Sequence, residues 1–165
     1  MSKSLATWFT PSLQTISRSA GRSAVAAAAY RACVKLIDQT TGLIHDYTKK
    51  KGHVETILIG ADDISELWNK AELAETRKNS TVARELMLPL PDQWTDNERR
   101  ACVLDIAQHL RDTYGVAAAG SIHAANRHDR NRHSHLLFTT RVVDDDGNFG
   151  KKTRILDDMK TGEVK

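Results

Sequence analysis

Apolar residues recur along this chain in two rhythms, one of strands and one of helices. The run Ser12 to Ser17 (Ser-Leu-Gln-Thr-Ile-Ser) predicts a short strand. Leu43 to Thr48 predicts another, and His53 to Ile59 a third that begins in alternation and then turns apolar. Thr81 to Leu88 predicts a fourth, stopped by Pro89 and Pro91. Val116 to Ile122 and Leu136 to Thr140 are apolar runs of strand length. Helical spacing places Val25, Ala29, Ala32 and Leu36 on one stripe of a helix from about Ser23 to Ile37, with Tyr30 at the stripe's edge beside Ala26 and Ile37. The segment Asp38 to Gly42 ends it. A second helix starts at Asp62-Asp63 or Ser65, carries Leu67, Trp68, Ala71 and Leu73, and reaches about Lys78. A third opens on Thr95-Asp-Asn-Glu98, a capping-box pattern, and runs to Gly115 with Ala101, Leu104, Ile106, Leu110 and Tyr114 inward. Val142 to Asn148 leads into a turn before the basic segment Lys151 to Arg154. Helices that alternate with strands, some joined by tight turns, predict an α+β fold: a mainly antiparallel central sheet with helices packed on one side of it.

Size and composition narrow the class. A chain of 165 residues suits one domain with a real core, and a 40% hydrophobic, 27% charged composition is ordinary for a globular protein. No run approaches the roughly 18 to 20 apolar residues of a membrane span, and Lys3 is not followed by the apolar stretch of a secretory signal, so a cytoplasmic location is expected. Cys33 and Cys102 have no metal-type spacing and read as buried free thiols on helix faces. The net charge of +3 is unevenly spread: residues 1–60 and 113–165 are net basic and flank a net acidic middle. That pattern fits a phosphate-bearing partner, and equally a solvated surface of mixed charge.

The candidate chemistry lies in the histidines. His133 and His135 are two apart at the head of the apolar run Leu136 to Thr140, so on a strand they face the same way, about 6.5 to 7 Å apart. His123 ends the preceding apolar run. If those two strands pair, three imidazoles converge, and three protein ligands with an open position are the pattern of a catalytic metal site. His128 and Asp129 compete for the third place. His45, His53 and His109 sit in polar or helical settings and read as ordinary surface or packing residues.

Four blocks of this sequence carry a resemblance. The segment Arg18-Ser-Ala-Gly-Arg-Ser-Ala-Val-Ala-Ala-Ala-Ala-Tyr-Arg31 resembles the tyrosine-bearing helix of the MobA/MobL (MobQ-type) plasmid mobilisation relaxases. Arg77-Lys-Asn-Ser-Thr-Val-Ala-Arg-Glu85, followed by Leu-Pro, resembles a second block of that family. His123, His128-Asp-Arg-Asn131 and His133-Ser-His135 resemble its histidine motif, that of the HUH single-strand DNA nicking enzymes. Phe149-Gly-Lys-Lys-Thr-Arg and Leu156-Asp-Asp resemble the segment after it. The order is the same throughout, from roughly residue 15 to 160. Ser134 departs from the hydrophobic residue usual between the two motif histidines, and on a strand it faces away from them.

The resemblance implies a palm-like HUH fold, and a single nicking domain over residues 1–165 that lacks the family's further C-terminal helices. It implies strand-specific nicking and religation at a plasmid origin of transfer through a 5′-phosphotyrosyl intermediate. Tyr30 would be the nucleophile. His123, His133 and His135 would hold one divalent ion, Mn2+ or Mg2+ in preference to Zn2+ or Ni2+. Glu85 would orient a ligand or act in proton transfer. Arg77, Asp129, Asn131, Arg22, Arg31 and Arg132 would hold DNA or brace the site, with Lys49 to Lys51, Arg127 and Arg130 as further phosphate contacts. The partners implied are single-stranded origin DNA with its hairpin or duplex flank, accessory mobilisation proteins, and a coupling protein with a type IV secretion system. Residue types alone leave open a nuclease that uses bound water, a replication initiator of the HUH class, or a non-catalytic DNA-binding module. Tyr47 stays open as an alternative nucleophile.

Overall fold

The computed structural model describes residues 11–125 and 132–153. Along the chain these form β1 (Ser12–Ser17), a short 3-10 turn (Arg18–Ala20), α1 (Ala24–Ala32), β2 (Lys35–Ile37), β3 (Ile44–Asp46) and β4 (His53–Ile59). There follow α2 (Ile64–Leu73), β5 (Thr81–Pro89), α3 (Asp96–Tyr114), β6 (Ala118–His123), β7 (His133–Phe138), β8 (Arg141–Val143) and β9 (Phe149–Lys152). Five strands make one sheet in the order β1-β5-β7-β6-β4, and every neighbouring pair is antiparallel. The β2–β3 and β8–β9 hairpins stand apart from it. The α+β class and the central antiparallel sheet are as the sequence predicts.

The helices cover both faces, which corrects the one-sided packing read from the sequence. On one face α1 and α2 bury Ala28, Leu67 and Trp68 against Ile16, Val82, Ala117, Ala119 and Leu137. On the other, α3 lays Val103, Ala107 and Leu110 on Ala118, Ile122, Leu136 and Phe138. The physical cause is visible in β6, whose six residues are all buried, so neither of its faces is left for water. The approach of α3 is close: a Cβ added at Gly120 would lie 2.6 Å from Val103 Cγ1. The capping box that opens α3 is complete, with Thr95 Oγ1 accepting from the Glu98 N–H and the Glu98 carboxylate accepting from the Thr95 N–H.

The first helix is shorter than its periodicity suggests. It ends at Ala32, and Cys33 closes it in the left-handed region at φ 54. Lys35 to Ile37 then pairs with Ile44 to Asp46 as a hairpin, so Leu36 and Ile37 belong to a strand. Cys33 is therefore a helix cap, and both it and Cys102 are partly exposed thiols. The second helix stops at Leu73, before Lys78. At its start α1 is held by Ser23, whose hydroxyl accepts the Ala26 N–H, and by the buried Glu72 carboxylate, which accepts the Ala24 N–H at 2.6 Å and the Arg18 guanidinium at 2.8 Å. Its six buried residues are five alanines and one valine, small enough for the helix backbone to come down onto the sheet.

Candidate metal and nucleophile site

Register brings the histidines together. In the β6–β7 ladder His123 stands opposite His133, and Ser121 opposite His135. The period of two puts His123, His133 and His135 on the α1 face of the sheet, and Ser134, fully buried, on the α3 face. The His133 and His135 rings lie 4.9 Å apart between centroids, and each lies 5.4 Å from His123. His53 joins them from β4. It is the register partner of His123, with ring centroids 5.9 Å apart, and its Nε2 lies 2.8 Å from Thr56 Oγ1. Reading His53 as an ordinary surface residue missed this. Its place at the head of an apolar strand was the available signal, but only the order of strands shows that β4 borders β6.

Hydrogen bonds orient His123 and His135. His123 is 4% exposed, and its Nε2 lies 2.7 Å from the carbonyl of Arg31. A carbonyl only accepts, so Nε2 carries the proton and donates. Burial lowers the His123 pKa to about 4 against the help of that bond, and the charges of His135, Lys50 and His133 lower it further. His123 is therefore neutral at physiological pH. His135 Nδ1 lies 2.7 Å from Glu85 Oε1, and the second Glu85 oxygen takes the guanidinium of Arg31. Burial works to raise the Glu85 carboxyl, but the His135 hydrogen bond and the Arg31 charge outweigh it and hold the group below the ordinary carboxylate value.

The donor set suits a divalent ion by its chemistry: imidazoles at strand spacing, one neutral by burial, one braced by a carboxylate through Nδ1 so that Nε2 is left for a cation. The donor atoms are not yet closed around a point. No group of three His, Cys, Asp or Glu among the described residues is set to hold a metal ion. The Arg31 carbonyl occupies His123 Nε2. An ion shared by all three needs either the Nδ1 lone pair of His123 or release of that carbonyl.

Tyr30 sits in the last turn of α1 and is 46% exposed. Its neighbour Arg31 reaches the cluster twice, through its carbonyl to His123 and through its side chain to Glu85. Tyr30 thus comes from the same face of the sheet as the histidines. The Tyr47 ring meets it edge-on at 5.1 Å. A groove of about 580 Å³ between α1 and the β2–β3 hairpin is lined by Tyr30, Arg31 and the exposed Arg22.

The other candidates scatter. Arg77 is exposed in the α2–β5 connection, beyond the Thr81 end of β5, whereas the histidines lie toward the Pro89 end, where Pro89 pairs with His133. Arg132 lies just before His133 and pairs with Asp92 at 3.0 Å. Asp129 and Asn131, with Arg127, His128 and Arg130, lie outside the described residues.

Comparisons with known proteins bear on the family and the fold of the chain. The model of the MobA/MobL family matches residues 22–165. The chain is 39% identical to a mobilization protein MobL of Acidithiobacillus ferridurans, covering 93% of this chain and 48% of that protein. It is 31% identical to a conjugal transfer protein TraA of Agrobacterium fabrum, over 88% of this chain and 14% of that protein. The chain thus spans about half or less of the length of these relatives. A solved structure described as the molecular basis of vancomycin resistance transfer in Staphylococcus aureus superposes with a TM-score of 0.77 at 29% identity, over 88% of this chain and 76% of that one.

Proposed function

Since the chain belongs to the MobA/MobL family, we propose that it nicks and rejoins one DNA strand at a plasmid origin of transfer, with Tyr30 as the nucleophile. The observation that carries this reading is the double contact of Arg31, which ties the helix turn bearing an exposed tyrosine to His123 directly and to His135 through Glu85.

In the reaction, Tyr30 Oη attacks the scissile phosphorus, the bond from phosphorus to the 3′-oxygen breaks, and the phenolic proton leaves to the solvent to which Tyr30 is open. The 3′-oxygen takes a proton and becomes a free hydroxyl, and the 5′-phosphate stays on tyrosine. No water is consumed, so the reverse attack rejoins the strand. A phenol ordinarily ionises only near pH ~10. A divalent ion held by His123, His133 and His135 would favour the phenolate and offset charge on the non-bridging oxygens. Glu85 orients His135 and anchors Arg31. With both oxygens engaged and its pKa held low, it is a poor proton acceptor.

Arg22, beside Tyr30 in the groove, together with Lys49 and Lys51 on the turn after β3, offers phosphate contacts for a single strand. Accessory mobilisation proteins and a coupling protein with its secretion system are the partners this role requires, and the bacterial cytoplasm its setting. No helix among the described residues is long and apolar enough to cross a membrane.

The test is incubation with a labelled single-stranded origin oligonucleotide and Mn2+, read on a denaturing gel. A slower protein–DNA band that needs the metal and disappears in Tyr30→Phe is expected. Cleavage without that band, or normal cleavage by Tyr30→Phe, indicates a water-using nuclease. Salt-sensitive binding with no cleavage indicates a binding module.

A further inference from the structure

The Lys49-Lys50-Lys51 run reads in sequence as a basic, solvated turn. The fold treats its members differently: Lys49 and Lys51 are exposed, and Lys50 is half-buried. Its ammonium lies 3.5 Å from the centroid of the Tyr30 ring and donates to the Tyr30 carbonyl at 3.2 Å. The turn that carries it is fixed at both ends: the Lys50 N–H donates to the Tyr47 carbonyl at 3.0 Å, and the Tyr47 N–H donates to Val34 at 3.2 Å. Tyr47 then closes edge-on against the same ring. Among the described residues no carboxylate pairs with Lys50, so the aromatic face and the carbonyl are what hold this partly desolvated cation. After burial, which dominates for both, the Lys50 charge also disfavours the imidazolium forms of His53 and His123.

We propose that Lys50 is a positioning residue for the nucleophile, clamping the Tyr30 ring by a cation–π contact and a carbonyl hydrogen bond, with the Tyr47 ring packed edge-on against it. This rests on the reading of Tyr30 as the nucleophile and assigns the element that holds its ring. The physical need is specific. An exposed tyrosine at a helix terminus is free to change rotamer, whereas in-line attack on phosphorus requires one orientation, and misplacement by about 1 Å costs on the order of 100-fold. A cation over the ring face narrows the rotamers without covering the hydroxyl.

Two readouts test it. In the metal-free, DNA-free protein labelled with 3-fluorotyrosine, the Tyr30 signal is identified by its loss in Tyr30→Phe. Lys50→Met is expected to shift that signal and sharpen it as the ring gains motion, whereas Lys50→Arg, whose guanidinium also stacks on aromatic faces, keeps it near its native position. In single-turnover adduct formation with saturating origin oligonucleotide and Mn2+, Lys50→Met is expected to slow the rate roughly tenfold, the size of one such contact. Lys50→Arg is expected to recover most of the loss. Lys49→Met is expected to raise the oligonucleotide concentration at half-saturation and leave the fluorine signal in place. A Tyr30 signal unmoved by Lys50→Met, or a defect only in oligonucleotide affinity, overturns this inference alone. Absence of any adduct in the unaltered protein, or its survival in Tyr30→Phe, overturns the proposed function, and this inference with it.

Discussion

Glu85 is the residue whose replacement separates folding from function most clearly. Its carboxylate is 4% exposed, and it bonds His135 through one oxygen and Arg31, 11% exposed, through the other. Glu85→Ala strands a buried guanidinium and removes the acceptor of His135 Nδ1, which is expected to cost about 3–5 kcal/mol, a large share of the roughly 5–15 kcal/mol that keeps a domain folded. Because the folded pKa of Glu85 is depressed, its contribution is complete at neutral pH and is lost as pH falls through the carboxylate range. Glu85→Gln keeps the shape and one acceptor, so it is expected to cost less stability, but it no longer polarises His135. Loss of such an outer partner weakens metal binding about 10- to 100-fold. The paired change Arg31→Met with Glu85→Leu removes both charges together and is expected to recover most of the stability, because two apolar side chains replace a buried ion pair, while Mn2+ affinity stays low. Urea denaturation and calorimetric Mn2+ titration measure the two quantities separately. Native Mn2+ affinity in Glu85→Gln, or affinity that returns with stability in the paired variant, would refute the orienting role.

Three further outcomes follow from particular contacts. The His123 pKa falls from about 6.5 unfolded to about 4 folded, so between those values the unfolded chain binds more protons and stability rises with pH. The metal-free protein is expected to gain up to about 3 kcal/mol across that window, and His123→Asn to flatten the rise in urea melts taken from pH 4 to 7. Gly120→Ala drives a Cβ to 2.6 Å from Val103 Cγ1 and is expected to destabilise by about 1–3 kcal/mol, a cost that Val103→Ala in the same chain partly relieves. Ser134 Oγ is buried with no hydrogen-bond partner among the described residues, so Ser134→Ala is expected to stabilise by about 1 kcal/mol, and a lower urea midpoint would contradict that.

Much of the fold is legible because its elements carry local signals. The strand at His53 to Ile59 alternates before turning apolar, and the capping box at Thr95 forms both of its hydrogen bonds. The periodicity overextends the first helix because Leu36 keeps the helical spacing from Ala32 while lying in a hairpin, and because the residue that turns the chain at positive φ is Cys33, with no glycine to announce it. At the site, the His-x-His spacing fixes a shared face from sequence alone. The pairing of His123 with His133 follows once two adjacent apolar strands are joined antiparallel. The rest depends on long-range placement. Arg31 meets Glu85 across 54 residues, and Lys50 meets Tyr30 across 20. His53 reaches His123 because β4 borders β6 at the sheet edge. No periodicity encodes those neighbours. Arg77 shows the converse: it belongs to a block that resembles the family, yet it lies off the far end of the strand that carries Glu85.

The most direct measurement is peptide mapping by mass spectrometry after reaction with origin oligonucleotide and Mn2+. The expected result is a single nucleotide-bearing peptide containing Tyr30, with its 5′-phosphate on the phenolic oxygen and a free 3′-hydroxyl on the released strand. Attachment at Tyr47 or Tyr114, or complete cleavage with every tyrosine peptide unmodified, would contradict the placement of the nucleophile on which the mechanism stands.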